Sequence, residues 1–242
     1  TPHDEKALSF TKKMDLPLLK IGSGEVQNNS FIKKIISLNK PTIISTGMYD
    51  EDDLNNLIKI IKKQKNKNIA ILHCVSSYPT KFEEVNLNVI NEYKEKVQGI
   101  IGYSDHTEGH EVCILAVAAG AKIIEKHITL DFNIPNAQDW KVSCGPNDFK
   151  LFVEKIRNVE KILGLKKKKI SKEEKKSLLW ARKSLILKNN VSKNNKINYS
   201  DLNTKRPGVG ISPNKIKEVI GLVACKDLKK ETILKWSMLK KK

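Results

Sequence analysis

The chain has 242 residues, 39% of them hydrophobic and 30% charged, with a formal net charge of +18. That length can bury a substantial core, so one large domain or a large plus a small one is expected, and no apolar run reaches the roughly 18 residues of a membrane span. The charge comes from dispersed lysines, while arginine stands only at Arg157, Arg182 and Arg206 and aromatics make up 6% of the chain; this argues against nucleic-acid binding and for a solvated basic surface.

The cysteines, Cys74, Cys113, Cys144 and Cys225, show no CxxC or other zinc spacing. They are expected to be reduced thiols of a soluble cytoplasmic protein, with no membrane or nucleic-acid partner.

In chain order, Thr1-Pro2-His3-Asp4 reads as a strand exit entering the first turn of a helix, which suggests that the strand itself lies upstream. Five short β-branched apolar runs follow: LLKI (18–21), TIIST (42–46), IAILH (69–73), GIIGY (99–103) and KIIEKHI (122–128). Each is too short for a helix, as buried parallel strands are. Residues 50–63 place Leu54, Leu57, Ile58 and Ile61 on one helical face behind an acidic first turn. Residues 147–163 do the same with Phe149, Phe152, Ile156, Val159 and Leu163, stopped by Gly164. Alternating strands and helices predict βα units and a parallel sheet.

Every run ends in polar residues: GSGE (22–25), STGM (45–48), HCVSSYPT (73–80), SDHT (104–107) and EKHITLD (125–131). An open doubly wound sheet presents ligand groups only near its switch point, whereas a (β/α)8 TIM barrel converges every strand end on one mouth. The expectation is a barrel over residues 1–164 that lacks its first three strands. A charged, solvated linker, 165–180, expected to be helical, leads to a small β-rich domain, 181–240. In that domain the pattern Val191, Ile197, Ser200, Leu202 recurs as Leu228, Leu234, Ser237, Leu239, and Ser212-Pro213 reads as a helix start.

The chemistry is expected at the mouth. His106 and His127 leave successive strands, and a pair of neutral imidazoles suits a divalent metal with open positions. His73 reads as packing, His110 as a solvated helix residue, and Asp105 as a support for a histidine or a helix cap. Lys20, Ser23 and the glycines of KIGSGE suit an anion, with Ser45 and Ser104 as further donors.

KIGSGE, ISTGM, LHCVSSYPT, GYSDHT and EKHITLD, followed by KRPG in the small domain, together resemble the sialic acid synthase family, which makes N-acetylneuraminate, legionaminate and pseudaminate. The resemblance covers essentially the whole chain. It implies a TIM barrel with a C-terminal antifreeze-like SAF domain. It also implies condensation of phosphoenolpyruvate with an N-acylated hexose, dependent on Mn²⁺ or a similar ion such as Mg²⁺ or Co²⁺. Carried over residue by residue, Thr1, Lys20, Ser23, Ser45 and Ser104 hold phosphoenolpyruvate and His106 and His127 bind the metal. Glu25 and Tyr78 line the sugar side, Glu25 joining the two histidines as catalytic. Asp139 meets sugar hydroxyls, and Arg206 reaches into the partner subunit of a swapped homodimer.

The segment IPNAQDWKVSCGP (134–146) keeps Asp139 but departs from the family pattern around it, which leaves the sugar open. Because the family's first strands also carry substrate contacts, the chain alone is expected to be inactive and the full-length protein to be the enzyme. Two other readings stay open: a Schiff-base aldolase using Lys20 or Lys126, and a non-enzymatic binding module.

Overall fold

The structure, a computed structural model, describes residues 1–137 and 139–241. The chain divides into two compact units, Thr1–Gly164 and Leu165–Lys242.

The first unit opens with helix α1 (Glu5–Lys13), capped by the Asp4 carboxylate, which accepts from the Ala7 N–H at 2.7 Å. Five strands then alternate with helices. They are β1 (Leu19–Ile21), α2 (Asn29–Ile36), β2 (Thr42–Ser45), α3 (Glu51–Lys63), β3 (Ile69–Cys74), α4 (Val89–Lys96), β4 (Ile100–Asp105), α5 (Glu111–Ala119), β5 (Ile124–Lys126) and α6 (Pro146–Leu163). All neighbouring strands pair in parallel, and their spatial order is their chain order. A doubly wound sheet reverses its order at a switch point, and this one does not.

Register divides the sheet into two faces. Ile21, Ile44, Ile71, Ile101 and Tyr103 turn to the helices and form one core with Ile32, Ile35, Leu57 and Ile90. Each such aliphatic side chain contributes about 1.5–3 kcal/mol when fully buried. The opposite face carries Lys20, Ser45, Cys74, Ser104 and Glu125 at or near the C-terminal strand ends, because paired residues in register share a face.

Strand β5 is shorter than the run from 122 to 128 suggests, because the chain at 127–129 turns to a new partner. Cys144 N–H donates to the His127 carbonyl at 2.7 Å and Thr129 N–H to the Cys144 carbonyl at 3.1 Å. That exchange anchors the excursion between them before α6 begins.

The second unit begins with a helix in the charged stretch expected to be a helical linker. Ser171 and Glu174 form a reciprocal capping box that starts α7 (Lys172–Ala181). The Leu179 carbonyl accepts from Gly208 N–H at 2.7 Å, tying this helix to the rest of the unit. Strands β6 (Ser184–Leu187) and β7 (Leu202–Lys205) pair antiparallel; after α8 (Ile216–Val219), so do β8 (Val223–Ala224) and β9 (Leu239–Lys240). The internal repeat is structural. Leu187 pairs with Leu202 as Ala224 pairs with Leu239, and Val191 and Leu228 exchange reciprocal N–H···O bonds of 2.8 Å where the halves meet.

Candidate active site

Lys20 on β1 and Glu125 on β5 lie 3.2 Å apart, ammonium to carboxylate, although they belong to the first and last strands of the sheet. In a flat sheet those strands would stand about 19 Å apart, four steps of about 4.8 Å. The sheet is therefore strongly curled, with its polar strand ends on the concave side. Glu125 Oε1 also accepts from Ser104 Oγ at 2.8 Å. One carboxylate oxygen is thus held by the two groups expected to hold an anion.

Hydroxyls from neighbouring strand exits surround this point. Ser23 Oγ accepts from Gly47 N–H at 2.8 Å and lies 3.7 Å from the Cys74 sulfur. A Cβ at Gly47 would stand 2.2 Å from Ser76 Oγ and 2.9 Å from Ser23 Oγ, so this position needs glycine for space. Ser45 Oγ is buried without a partner among the described residues. A buried hydroxyl without a partner is costly, and it is suited to meeting a ligand oxygen. Burial pushes the Cys74 thiol up, with Ser23 and Ser104 acting the other way.

Two residues beyond Ser104 and Glu125, just past the ends of β4 and β5, stand His106 and His127, their ring centres 5.2 Å apart. Tyr78 lies over His106 at 4.0 Å between centres and meets His127 edge-on at 5.7 Å. The Val75 carbonyl, 2.7 Å from His106 Nδ1, can only accept, so Nδ1 carries the proton and Nε2 keeps its lone pair. Burial, reinforced by His127, holds His106 below the usual histidine range against the opposing carbonyl bond, and so favours the neutral ring. His127 Nδ1 lies 3.6 Å from an Asp139 carboxylate oxygen.

Two imidazoles at this spacing fit a divalent ion bound about 2.1 Å from each ligating nitrogen. Among the described residues, no group of three or more His, Cys, Asp or Glu side chains converges to hold a metal. Water or substrate oxygens would complete the coordination.

The other expected residues fall in several places. Thr1 sits beside Gly22 at the β1 exit, its methyl 3.9 Å from where a Cβ there would be. Glu25 is buried and accepts from Asn28 Nδ2 at 2.7 Å, on the turn that follows Ser23. Arg206 belongs to the second unit, where it follows β7.

Three expectations need correction. Asp105 does not cap α5 and does not bond a histidine directly; it is a buried carboxylate 2.6 Å from Lys126 Nζ, bonded also by Thr107 and Cys113. His110 is not a solvated helix residue, because it stands at the N-cap of α5 and stacks on Phe152 at 4.8 Å. Lys126 is not a free amine for a Schiff base, since it is committed to Asp105. His73, expected to pack, does so: it is buried, with Nε2 2.7 Å from the Val85 carbonyl.

Glu125 and Ser76 were missed as site residues. Glu125 could have been found by alternation, because it lies two residues before His127 and so faces the same side of β5.

A curled parallel sheet that gathers a cation, hydroxyls and two imidazoles at its C-terminal ends defines an α/β barrel-type protein with its chemistry at the mouth. Residues 1–168 match the NeuB family and residues 182–240 the SAF domain, and the chain belongs to the NeuB family. It is 38% identical over 237 residues to the N,N'-diacetyllegionaminic acid synthase of Campylobacter jejuni, covering 97% of this chain and 71% of that protein. It is 35% identical over 229 residues to the pseudaminic acid synthase of the same organism, covering 95% and 66%. The N-acetylneuraminic acid synthetase structure from Leptospira borgpetersenii superposes with a TM-score of 0.68 at 34% identity, covering 73% of this chain and 61% of that one. No described helix is long and apolar enough to cross a membrane.

Proposed function

We propose that the protein condenses phosphoenolpyruvate with an N-acylated hexose, giving a nonulosonic acid and inorganic phosphate with the help of a divalent metal. The observation that carries this reading is the meeting of Lys20, Ser104 and Glu125 across the curled sheet, the last two standing two residues before His106 and His127. Relatives named as legionaminic and pseudaminic acid synthases support it.

The balance is one carbon–carbon bond formed between C3 of phosphoenolpyruvate and the sugar aldehyde carbon, one water added at C2, and one C2–oxygen bond broken to release phosphate. Lys20, Ser23, Ser45 and Ser104 bind the anionic substrate, with Thr1 beside them at the β1 exit. His106 and His127 are the metal-holding pair, and a bound Mn²⁺, Mg²⁺ or Co²⁺ would supply Lewis acidity toward the aldehyde oxygen. Tyr78, stacked on His106, walls the site, and Glu25 and Asp139 serve the sugar. Arg206 of one subunit completes the site of its partner in a swapped homodimer.

The test is phosphate release from phosphoenolpyruvate against a panel of N-acyl hexoses. Release that requires one such sugar, stops with EDTA and returns with Mn²⁺ supports the reading. An EDTA-insensitive reaction with a borohydride-trapped adduct on Lys20 would replace it with Schiff-base chemistry.

A further inference from the structure

We infer that the buried Asp105–Lys126 ion pair is a clamp that sets the separation of His106 and His127, making both residues positioning groups for the metal pair. The inference rests on the metal reading above and adds what holds the two imidazoles in place.

Asp105 and Lys126 immediately precede the two histidines and pair with each other in the β4–β5 register. Their side chains point to the helix face, so the histidines that follow turn to the concave face. The pair is inside the protein, with the Lys126 side chain 3% exposed and that of Asp105 0%. Lys126 Nζ donates to Asp105 Oδ2 at 2.6 Å and to the Thr107 carbonyl at 2.5 Å. A single ammonium on β5 therefore grips both neighbours of His106. Asp105 closes the grip from its own strand: Oδ1 accepts from Thr107 N–H at 3.1 Å and from its hydroxyl at 2.9 Å, and Oδ2 accepts from the Cys113 thiol at 3.3 Å.

Stability alone does not account for this arrangement. Replacing a buried ion pair by apolar side chains of similar volume is often neutral or stabilising, because the desolvation cost of both charges disappears. Apolar side chains would fill the same space, but they could not bond Asp105 and Thr107 at once and so fix the backbone on either side of His106. Supporting groups behind metal ligands commonly change affinity about 10–100-fold when removed.

The experiment compares the whole chain with Lys126→Met, the apolar pair Asp105→Leu/Lys126→Met, and Leu57→Ala, a core change on α3 away from both histidines. Mn²⁺ affinity is measured by titration, thermal midpoint by calorimetry, and the ring separation in crystals of the wild type and the apolar double variant. The expected result is Mn²⁺ affinity lowered about 10–100-fold in both clamp variants. Leu57→Ala should keep wild-type affinity despite a lower midpoint, and the rings should leave their 5.2 Å spacing in the double variant. Should Lys126→Met fail to fold, the apolar pair still decides. A double variant that keeps both wild-type affinity and ring spacing overturns the clamp. A wild-type chain that binds no Mn²⁺ overturns the metal reading instead, and the crystallographic spacing then decides the clamp by itself.

Discussion

Lys20 and Glu125 make a 3.2 Å ion pair across the two edge strands of a five-stranded sheet, and Ser104 shares the same carboxylate oxygen. Glu125 Oε1 occupies a position that an anionic substrate oxygen would claim between the same two donors. Glu125→Gln keeps the shape and removes that competitor. Partly exposed pairs of this kind are worth up to about 1 kcal/mol, so phosphoenolpyruvate binding measured by calorimetry should tighten by up to about fivefold. A weaker complex would mean that Glu125 supports the anion site rather than competing for it.

Gly47 places its N–H on Ser23 Oγ and leaves no room for a side chain beneath Ser76. Gly47→Ala must displace one or both hydroxyls. Loss of one hydrogen bond of about 1–1.5 kcal/mol corresponds to phosphoenolpyruvate affinity lowered roughly tenfold. Calorimetric titration of the variant checks this, and an unchanged affinity would remove the β1 and β2 exits from the anion site.

His73 is buried against the Val85 carbonyl, and burial holds it below its ordinary value of 6.5. The unfolded chain therefore binds a proton at higher pH than the folded one. His73 contributes its full stability above about pH 6.5 and loses it as the pH falls from there toward the lowered folded-state value. The slope for one proton is about 1.4 kcal/mol per pH unit. Urea denaturation between pH 5 and 7 should show His73→Gln with a shallower dependence than the wild type; parallel curves would assign the slope to other groups.

Burial pushes the thiols of Cys74, Cys113 and Cys144 up, while Cys225 is only half-buried. In the native state an aromatic disulfide reagent should label Cys225 first, and the other three only as fast as the protein opens. Rapid labelling of Cys113 would show that the Asp105 network is not closed.

The strands and their polar exits were legible because buried parallel strands write short β-branched runs, and a run that stops at SDHT or EKH declares where its face changes. His106 and His127 followed from that rule alone. The curl was legible only indirectly, through the number of polar exits, because nothing local in Lys20 or Glu125 announces that residues so far apart in sequence will touch. Alternation puts Asp105 and Lys126 on the face opposite the histidines that follow them, but nothing local in the sequence announces that the two pair with each other. Helix α7 was legible as a helical, solvated stretch; its start was not, because solvation and helix propensity write the same letters in a lysine-rich run and only the Ser171–Glu174 box marks the boundary.

The account depends most directly on the two imidazoles sharing one ion. Pulsed electron paramagnetic resonance of the Mn²⁺-loaded chain reports nitrogen couplings to the metal. The predicted result is two histidine nitrogens in the wild type and one in each of His106→Ala and His127→Ala. A bound ion that shows no histidine coupling, or couplings untouched by both substitutions, would contradict it.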